Sequence, residues 1–148
     1  MKILRNLGRL IIIIVDTTVI IDIWRGRSNV KSVLKPYSDQ TICISAISIA
    51  EIYDGLGYTK EKKSEKIYHQ IRDQMEKVLT EFHIIPLNSQ ILQESGSLKG
   101  FLRAKGIILD LADCIIGTTA RLMNTEKLIT RNIRHFQDFG LTIESYEI

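Results

Sequence analysis

Short runs of β-branched apolar residues alternate with longer stretches whose apolar positions recur every three or four residues, and this rhythm organises the whole chain. The short runs fall near residues 10–15, 41–44, 82–86, 127–130 and 141–145. Strand-length runs separated by helical stretches predict a parallel α/β sheet. Ile67, Ile71, Met75, Val78 and Leu79 mark the apolar stripe of an amphipathic helix predicted over about 61–81, whose plainest role is core packing. A second helix is predicted over 89–105, kinked or broken at Gly96 and Gly100, since glycine costs up to about 1 kcal/mol in a helix interior. The polar cluster from Tyr58 to Lys66 reads as a helix–helix junction. No repeat, low-complexity tract or linker divides the chain, so its 148 residues are expected to form one domain with a core that needs no disulfide.

Four of these segments deliver a polar group where the apolar run ends. Asp16 follows the run 11–15, Glu51 lies in the segment opened by 41–44, Asp113 opens a helix, and Asn132 follows 127–130. Strand ends in a parallel sheet share one edge, and ligands bind there. Each residue also has a structural explanation. Asp16 is a natural helix N-cap or turn residue. Glu51 completes a capping box with Ser48, although Ser45 is an equally good cap that would leave Glu51 in the second turn, free to project toward the strand edge. Asp110 suits an N-cap and Asp113 the first helical turn, where the helix dipole favours negative charge. The helix after Asp113 is apolar or small almost all round, however, which sets its acidic start in a confined place. Asn132 sits in a turn, where asparagine is common for conformational reasons alone.

Gathered together, Asp16, Glu51 and Asp113 would repel one another and need either protons or a cation. A divalent metal resolves the repulsion. Oxygen donors with no cysteine or histidine expected beside them select Mg2+ or Mn2+ over zinc, and Mg2+ pairs a few carboxylates with substrate phosphate. A phosphate ester is therefore the substrate class that the residues favour. Other phosphate chemistries fit less well: Asp16 is followed by Thr17 and Thr18 rather than the Asp-x-Asp of a haloacid-dehalogenase phosphatase. No Gly-rich loop ends in Lys-Ser/Thr, and the late lysine of a phospho-receiver domain has no clear counterpart.

Composition adds little to this. Apolar residues make up 45% and charged residues 25% of the chain, which excludes a mainly disordered protein. A net charge of +3 permits a polyanionic partner without demanding one. Cys43 and Cys114 sit in apolar runs without metal-ligand spacing, so both are expected as buried thiols in a reducing cytoplasm. Lys2, Arg5 and Arg9 precede the apolar run 10–15, a superficial likeness to a signal peptide. The run is far below the roughly 20 residues that span a bilayer, so residues 1–9 are expected as a basic N-terminal extension and no membrane association is expected.

The segments IVDTTVIID at 14–22, SAISIAEIYDGL at 45–56, LADCIIGTTA at 111–120 and LITRNIRHF at 128–136 together resemble the PIN-domain nucleases, and within them the VapC-like toxin ribonucleases of VapBC toxin–antitoxin pairs. The resemblance implies a three-layer α/β/α sandwich around a mainly parallel sheet of about five strands. It also implies an acidic cluster of Asp16, Glu51 and Asp113 that binds Mg2+ or Mn2+ and cleaves RNA. A fourth cluster position, acidic in many members, falls on Asn132, which removes one charge and puts a second metal in doubt. Thr17 and Thr130 match polar positions beside the cluster and would position water or ligands. The implied partners are an RNA substrate, a VapB-like antitoxin and a second copy of the chain. Arg25, Arg27, Lys31, Arg131 and Arg134 are candidates for guiding the RNA backbone. The alternative is a PIN-like scaffold that binds RNA or protein without cutting, a reading that Asn132 keeps open.

Overall fold

The computed structural model describes residues 11–148; the basic extension assigned to residues 1–9 and the first residue of the run 10–15 lie outside them. Five strands, β1 (Ile12–Val15), β2 (Thr41–Ser45), β3 (His83–Ile85), β4 (Lys127–Ile129) and β5 (Ile143–Glu144), form one sheet. Its order is β3-β2-β1-β4-β5, with every neighbouring pair parallel. From β1 the chain moves outward through β2 to β3, then crosses back to place β4 on the other flank of β1. The C-terminal ends of β1 and β4 therefore meet at a switch point of the sheet, the position where such folds bind ligands.

Six α-helices cover the sheet: α1 (Thr17–Trp24), α2 (Ser28–Leu34), α3 (Ala46–Lys62), α4 (Glu65–Leu79), α5 (Ser89–Ala104) and α6 (Leu111–Leu122). Alternation along β1 builds the layers, because successive strand side chains point to opposite faces. Ile13 and Val15 join Val19, Ile20, Ile52, Leu56 and Met75 on one face. Ile14 joins Leu102, Cys114, Ile116 and Phe136 on the other. The result is the three-layer sandwich implied by the resemblance. Both cysteines are free and buried, as expected.

Two helix expectations need correction. The helix predicted over 61–81 is in fact the end of α3 and the whole of α4. Ser64 interrupts it, adopting extended backbone and accepting a cap hydrogen bond from the Ile67 N–H at 3.3 Å. The expected kink at Gly96 and Gly100 is absent: α5 runs unbroken from Ser89 to Ala104. Neither glycine has positive φ, the Asn88 side chain caps the helix start at 2.9 Å, and packing against α6 outweighs the propensity cost. Gly117 is different. A Cβ there would run into the ring of Phe139, so α6 needs glycine to let the ring of Phe139 lie against it.

The C-terminal strand is fastened by polar contacts. Glu144 accepts from the Tyr37 hydroxyl at 2.5 Å and pairs with Lys127 at 3.0 Å. Among the described residues no helix is long and apolar enough to cross a membrane.

Candidate active site

The site begins where β1 ends. Asp16 adopts extended backbone, caps α1 by accepting from the Val19 N–H, and is only 3% exposed. Its Oδ1 also accepts from the Thr18 hydroxyl at 2.6 Å, and its Oδ2 accepts from the Thr130 hydroxyl, likewise at 2.6 Å. Thr130 is fully buried and directly follows β4, so the contact bridges the switch point. The capping explanation of Asp16 is correct, and it does not exhaust the residue: Oδ2 faces the neighbouring strand end rather than its own helix.

Ser45, at the end of β2, caps α3 through the Ile47 N–H at 3.3 Å. Ser48 lies inside the helix and caps nothing, so the capping-box explanation of Glu51 fails. Glu51 stands in the second turn, where its Oε1 accepts from the Thr17 hydroxyl at 2.6 Å. Thr17 has a single hydroxyl proton. The buried Ser48 hydroxyl, 2.9 Å from Thr17, must then donate to the Thr17 oxygen. Thr17 thus couples the start of α1 to the carboxylate of α3.

Asp113 lies in the first turn of α6. Asp110 occupies the N-cap position, yet its side chain makes no cap bond, which corrects its assignment as a working cap. Asp113 has a partner that the sequence reading left out: the His135 Nδ1 lies 2.8 Å from Asp113 Oδ2. The expectation of no histidine near the carboxylates is therefore wrong. His135 belongs to the LITRNIRHF segment, three residues beyond Asn132, and a 3-10 turn over Ile133–His135 folds it back toward α6. Asn132 itself is half-buried and donates its backbone N–H to the Thr130 hydroxyl at 2.9 Å. Its side chain makes no cap bond to the turn that follows.

The carboxylates sense one another. Burial raises the Asp16 carboxyl above its ordinary range, against the lowering effect of the Thr130 and Thr18 hydroxyls, and Asp113 adds repulsion. Burial likewise raises Asp113, partly offset by His135, and Glu51 adds repulsion. Glu51 is raised by desolvation and by the charges of Asp16 and Asp110, with Thr17 opposing. As a residue Glu51 is nonetheless exposed; it forms the rim of the site, where water screens its charge.

Three mutually repelling carboxylates, two held by threonine hydroxyls and one by His135, are a chemically suitable set for a hard divalent cation. Among the described residues, however, no three His, Cys, Asp or Glu side chains converge as a ready-made ion cage. A divalent cation held there would be reached in part through its own water shell. A cavity of about 710 Å³ lies elsewhere, lined by Ile23, Trp24, Leu34, Gln74 and Phe82 among others, and none of the three carboxylates reaches it.

The basic candidates divide. Arg25 and Arg134 are exposed, and Lys31 lines the separate cavity rather than the carboxylate edge. Arg27 and Arg131 turn inward to Asp22, a fully buried carboxylate that the sequence reading did not single out, at 3.2 and 3.3 Å. Both are tied to this buried acid rather than loose at the surface. An aspartate on the apolar helix run Val19–Ile23 was the available signal, since a buried charge requires partners.

A parallel sheet of this order, with carboxylates at its central strand ends, defines the class. The chain matches the PIN domain family over residues 13–140 and belongs to it. Ribonuclease VapC1 of Methanocaldococcus jannaschii is 28% identical over 134 residues, covering 88% of this chain and 85% of that protein. Ribonuclease VapC2 of Rickettsia felis is 28% identical over 110 residues, covering 74% of this chain and 77% of its own. Among solved structures, a toxin–antitoxin complex from Klebsiella pneumoniae contains a chain 30% identical, with a TM-score of 0.68 and coverage of 91% of this chain and 98% of that one. The VapBC2 complex of Rickettsia felis, bound to a DNA fragment from its promoter, has a TM-score of 0.77 over 93% of this chain and all of its own, at 24% identity. That last likeness speaks to the fold alone.

Proposed function

We propose that this protein is a metal-dependent endoribonuclease and the toxin of a toxin–antitoxin pair. The observation that carries the reading is the placement of Asp16, Glu51 and Asp113 near the C-terminal edge of the sheet, close enough for each to raise another's carboxyl, in a chain whose curated relatives are named ribonucleases. Asp16 and Asp113 would hold Mg2+ or Mn2+, with Glu51 completing the set or orienting water from the rim. When bound, the ion supplies Lewis-acid activation of water and stabilises the charge that develops on the phosphate.

The chain's own residues prepare the site. Thr130 and Thr18 fix both oxygens of Asp16, Thr17 directs Glu51, and His135 orients Asp113, each limiting the freedom of a group that must stay in place. Hydrogen-bonded carboxylates of this kind keep their geometry when a cation arrives. Asn132 is assigned to the substrate side of the same edge, where its amide would position water or phosphate without adding charge. The remaining partners in this reading are a VapB-like antitoxin and a second copy of the chain, and the setting is the cytoplasm. The toxin–antitoxin complex from Klebsiella pneumoniae, whose matching chain is 30% identical, supports the antitoxin.

The test is incubation of the purified protein with a mixed RNA pool in Mg2+, in Mn2+ and in EDTA, beside Asp16→Asn and Asp113→Asn. Cleavage that requires both the metal and the two carboxylates supports the reading. Full activity in both variants removes the metal mechanism, and intact RNA in every lane favours a binding scaffold.

A further inference from the structure

We propose that Arg27 and Arg131 form a clamp, built before substrate arrives, for a backbone phosphate of the RNA beside the carboxylate site. This rests on the reading of the substrate as RNA. Asp22 is 0% exposed, and it is approached from both sides: Arg27 Nε lies 3.2 Å from Oδ1, and Arg131 Nε lies 3.3 Å from Oδ2. The Tyr146 hydroxyl donates to Oδ2 at 2.7 Å. One carboxylate thus faces two guanidinium groups, so the cluster keeps one positive charge uncompensated.

The geometry determines where that charge is presented. The Nε atoms of both arginines are buried, while their side chains retain 34% and 27% of their surface. Each guanidinium approaches Asp22 most closely through Nε, as an ion pair rather than an aligned hydrogen bond. Among the described residues the Nη groups of both arginines make no hydrogen bond, leaving donors in the fork arrangement that suits phosphate. Burying a charged aspartate is costly unless it is paired, and here the pairing fixes the direction of two long side chains that would otherwise lose rotamer freedom on binding.

The clamp sits next to the carboxylates. Arg131 directly follows Thr130, whose hydroxyl holds Asp16 at 2.6 Å. Arg27 is tied to α1 through its backbone N–H, which donates to the Asp22 carbonyl at 3.0 Å. A positive clamp adjoining a negative cluster is the arrangement that a polyanion with several phosphates requires. One phosphate can approach the carboxylates with a cation, while its neighbour is held by the arginines.

The experiment measures binding of a fluorescein-labelled, single-stranded RNA of mixed sequence by anisotropy, over a series of KCl concentrations. All proteins are full-length and carry Asp16→Asn, so that the RNA survives. Adding Arg131→Gln or Arg27→Gln should weaken binding on the order of tenfold at low salt through loss of a charge-assisted contact. The slope of log K against log salt should also fall by about 0.7 for each lost phosphate contact. Arg131→Lys keeps the charge and should still bind more weakly, because one ammonium cannot serve Asp22 and a phosphate together. Asp22→Asn separates orientation from charge: the cluster becomes more positive, so loose cations would bind RNA more tightly, whereas the clamp predicts weaker binding. Thermal melts by circular dichroism establish which variants fold, and the arginine variants suffice if Asp22→Asn does not. Folded Arg27→Gln and Arg131→Gln proteins with unchanged affinity and salt slope overturn the clamp alone. A parent that binds no RNA, together with a wild type that cleaves none, overturns the nuclease reading and the clamp with it.

Discussion

Replacing Thr130 by valine changes almost nothing in shape and removes the one hydroxyl that joins the ends of β1 and β4. Thr130 is fully buried. Its hydroxyl donates to Asp16 Oδ2 at 2.6 Å and accepts the Asn132 N–H at 2.9 Å. A hydrogen bond to a charged group contributes about 1.5–3 kcal/mol, and the orphaned N–H of half-buried Asn132 adds up to about 1 kcal/mol. Thr130→Val should therefore cost about 2–4 kcal/mol, seen as a Tm lower by about 5–15 °C for a chain of this size. Thr130→Ser keeps the hydroxyl and loses one buried methyl, a cost of about 1 kcal/mol. Activity should separate the two variants further. Thr130 is the strongest of the groups that hold down the Asp16 carboxyl, so its loss pushes that carboxyl higher still. The acidic limb of the pH–rate profile for RNA cleavage should move up in Thr130→Val and stay in place in Thr130→Ser. Urea or thermal denaturation and a pH series of cleavage rates measure both effects. A valine variant as stable and active as wild type, with serine the weaker of the two, would show that the hydroxyl does not hold Asp16 in place.

Three further outcomes are expected. His135→Ala should lower cleavage more than His135→Asn, whose side-chain amide sits where Nδ1 does and can still donate to Asp113; equal losses in steady-state kinetics would argue that the imidazole acts otherwise. Gly117→Ala drives a methyl into the Phe139 ring and should destabilise by about 1–3 kcal/mol, measured by denaturation, whereas an unchanged melting point would mean that the ring moves aside freely. The metal-free protein should gain stability on mild acidification. Asp16, Glu51 and Asp113 have folded-state pKa values above their unfolded ones, so just above the ordinary carboxylate range the native state binds more protons than the unfolded state. Stability then falls as pH rises through that window. Glu144 acts oppositely: its carboxyl is lowered, first by the Tyr37 hydroxyl, and its contribution is lost as pH falls through the folded value. Denaturation in EDTA across pH should show a mildly acidic maximum that Asp16→Asn flattens.

The sheet was legible because β-branched runs are short and helices long, and because the alternation of Ile13, Ile14 and Val15 encodes two buried faces. Asp16, Glu51 and Asp113 were legible for a related reason: an acid after an apolar run has few inexpensive explanations. His135 was hidden because its approach to Asp113 depends on a 3-10 turn, and turns leave no periodic trace. The pairing of Arg27 and Arg131 with Asp22 was hidden too, since a sequence does not say which buried acid a long side chain will find. Ser64 was legible only as part of a polar junction, and the break it makes comes from its cap bond rather than from glycine. The glycines of α5 misled for the converse reason: propensity is a weak term once a helix face is packed.

Direct titration of metal-free protein with Mn2+ by calorimetry at neutral pH tests the proposal that Asp16 and Asp113 hold a divalent cation, without reference to any RNA. Wild type should bind saturably, more weakly as pH falls through the raised carboxyl values, and folded Asp16→Asn and Asp113→Asn should not bind. Equal binding by wild type and both variants, or no binding by a wild type that still cleaves RNA, would contradict it.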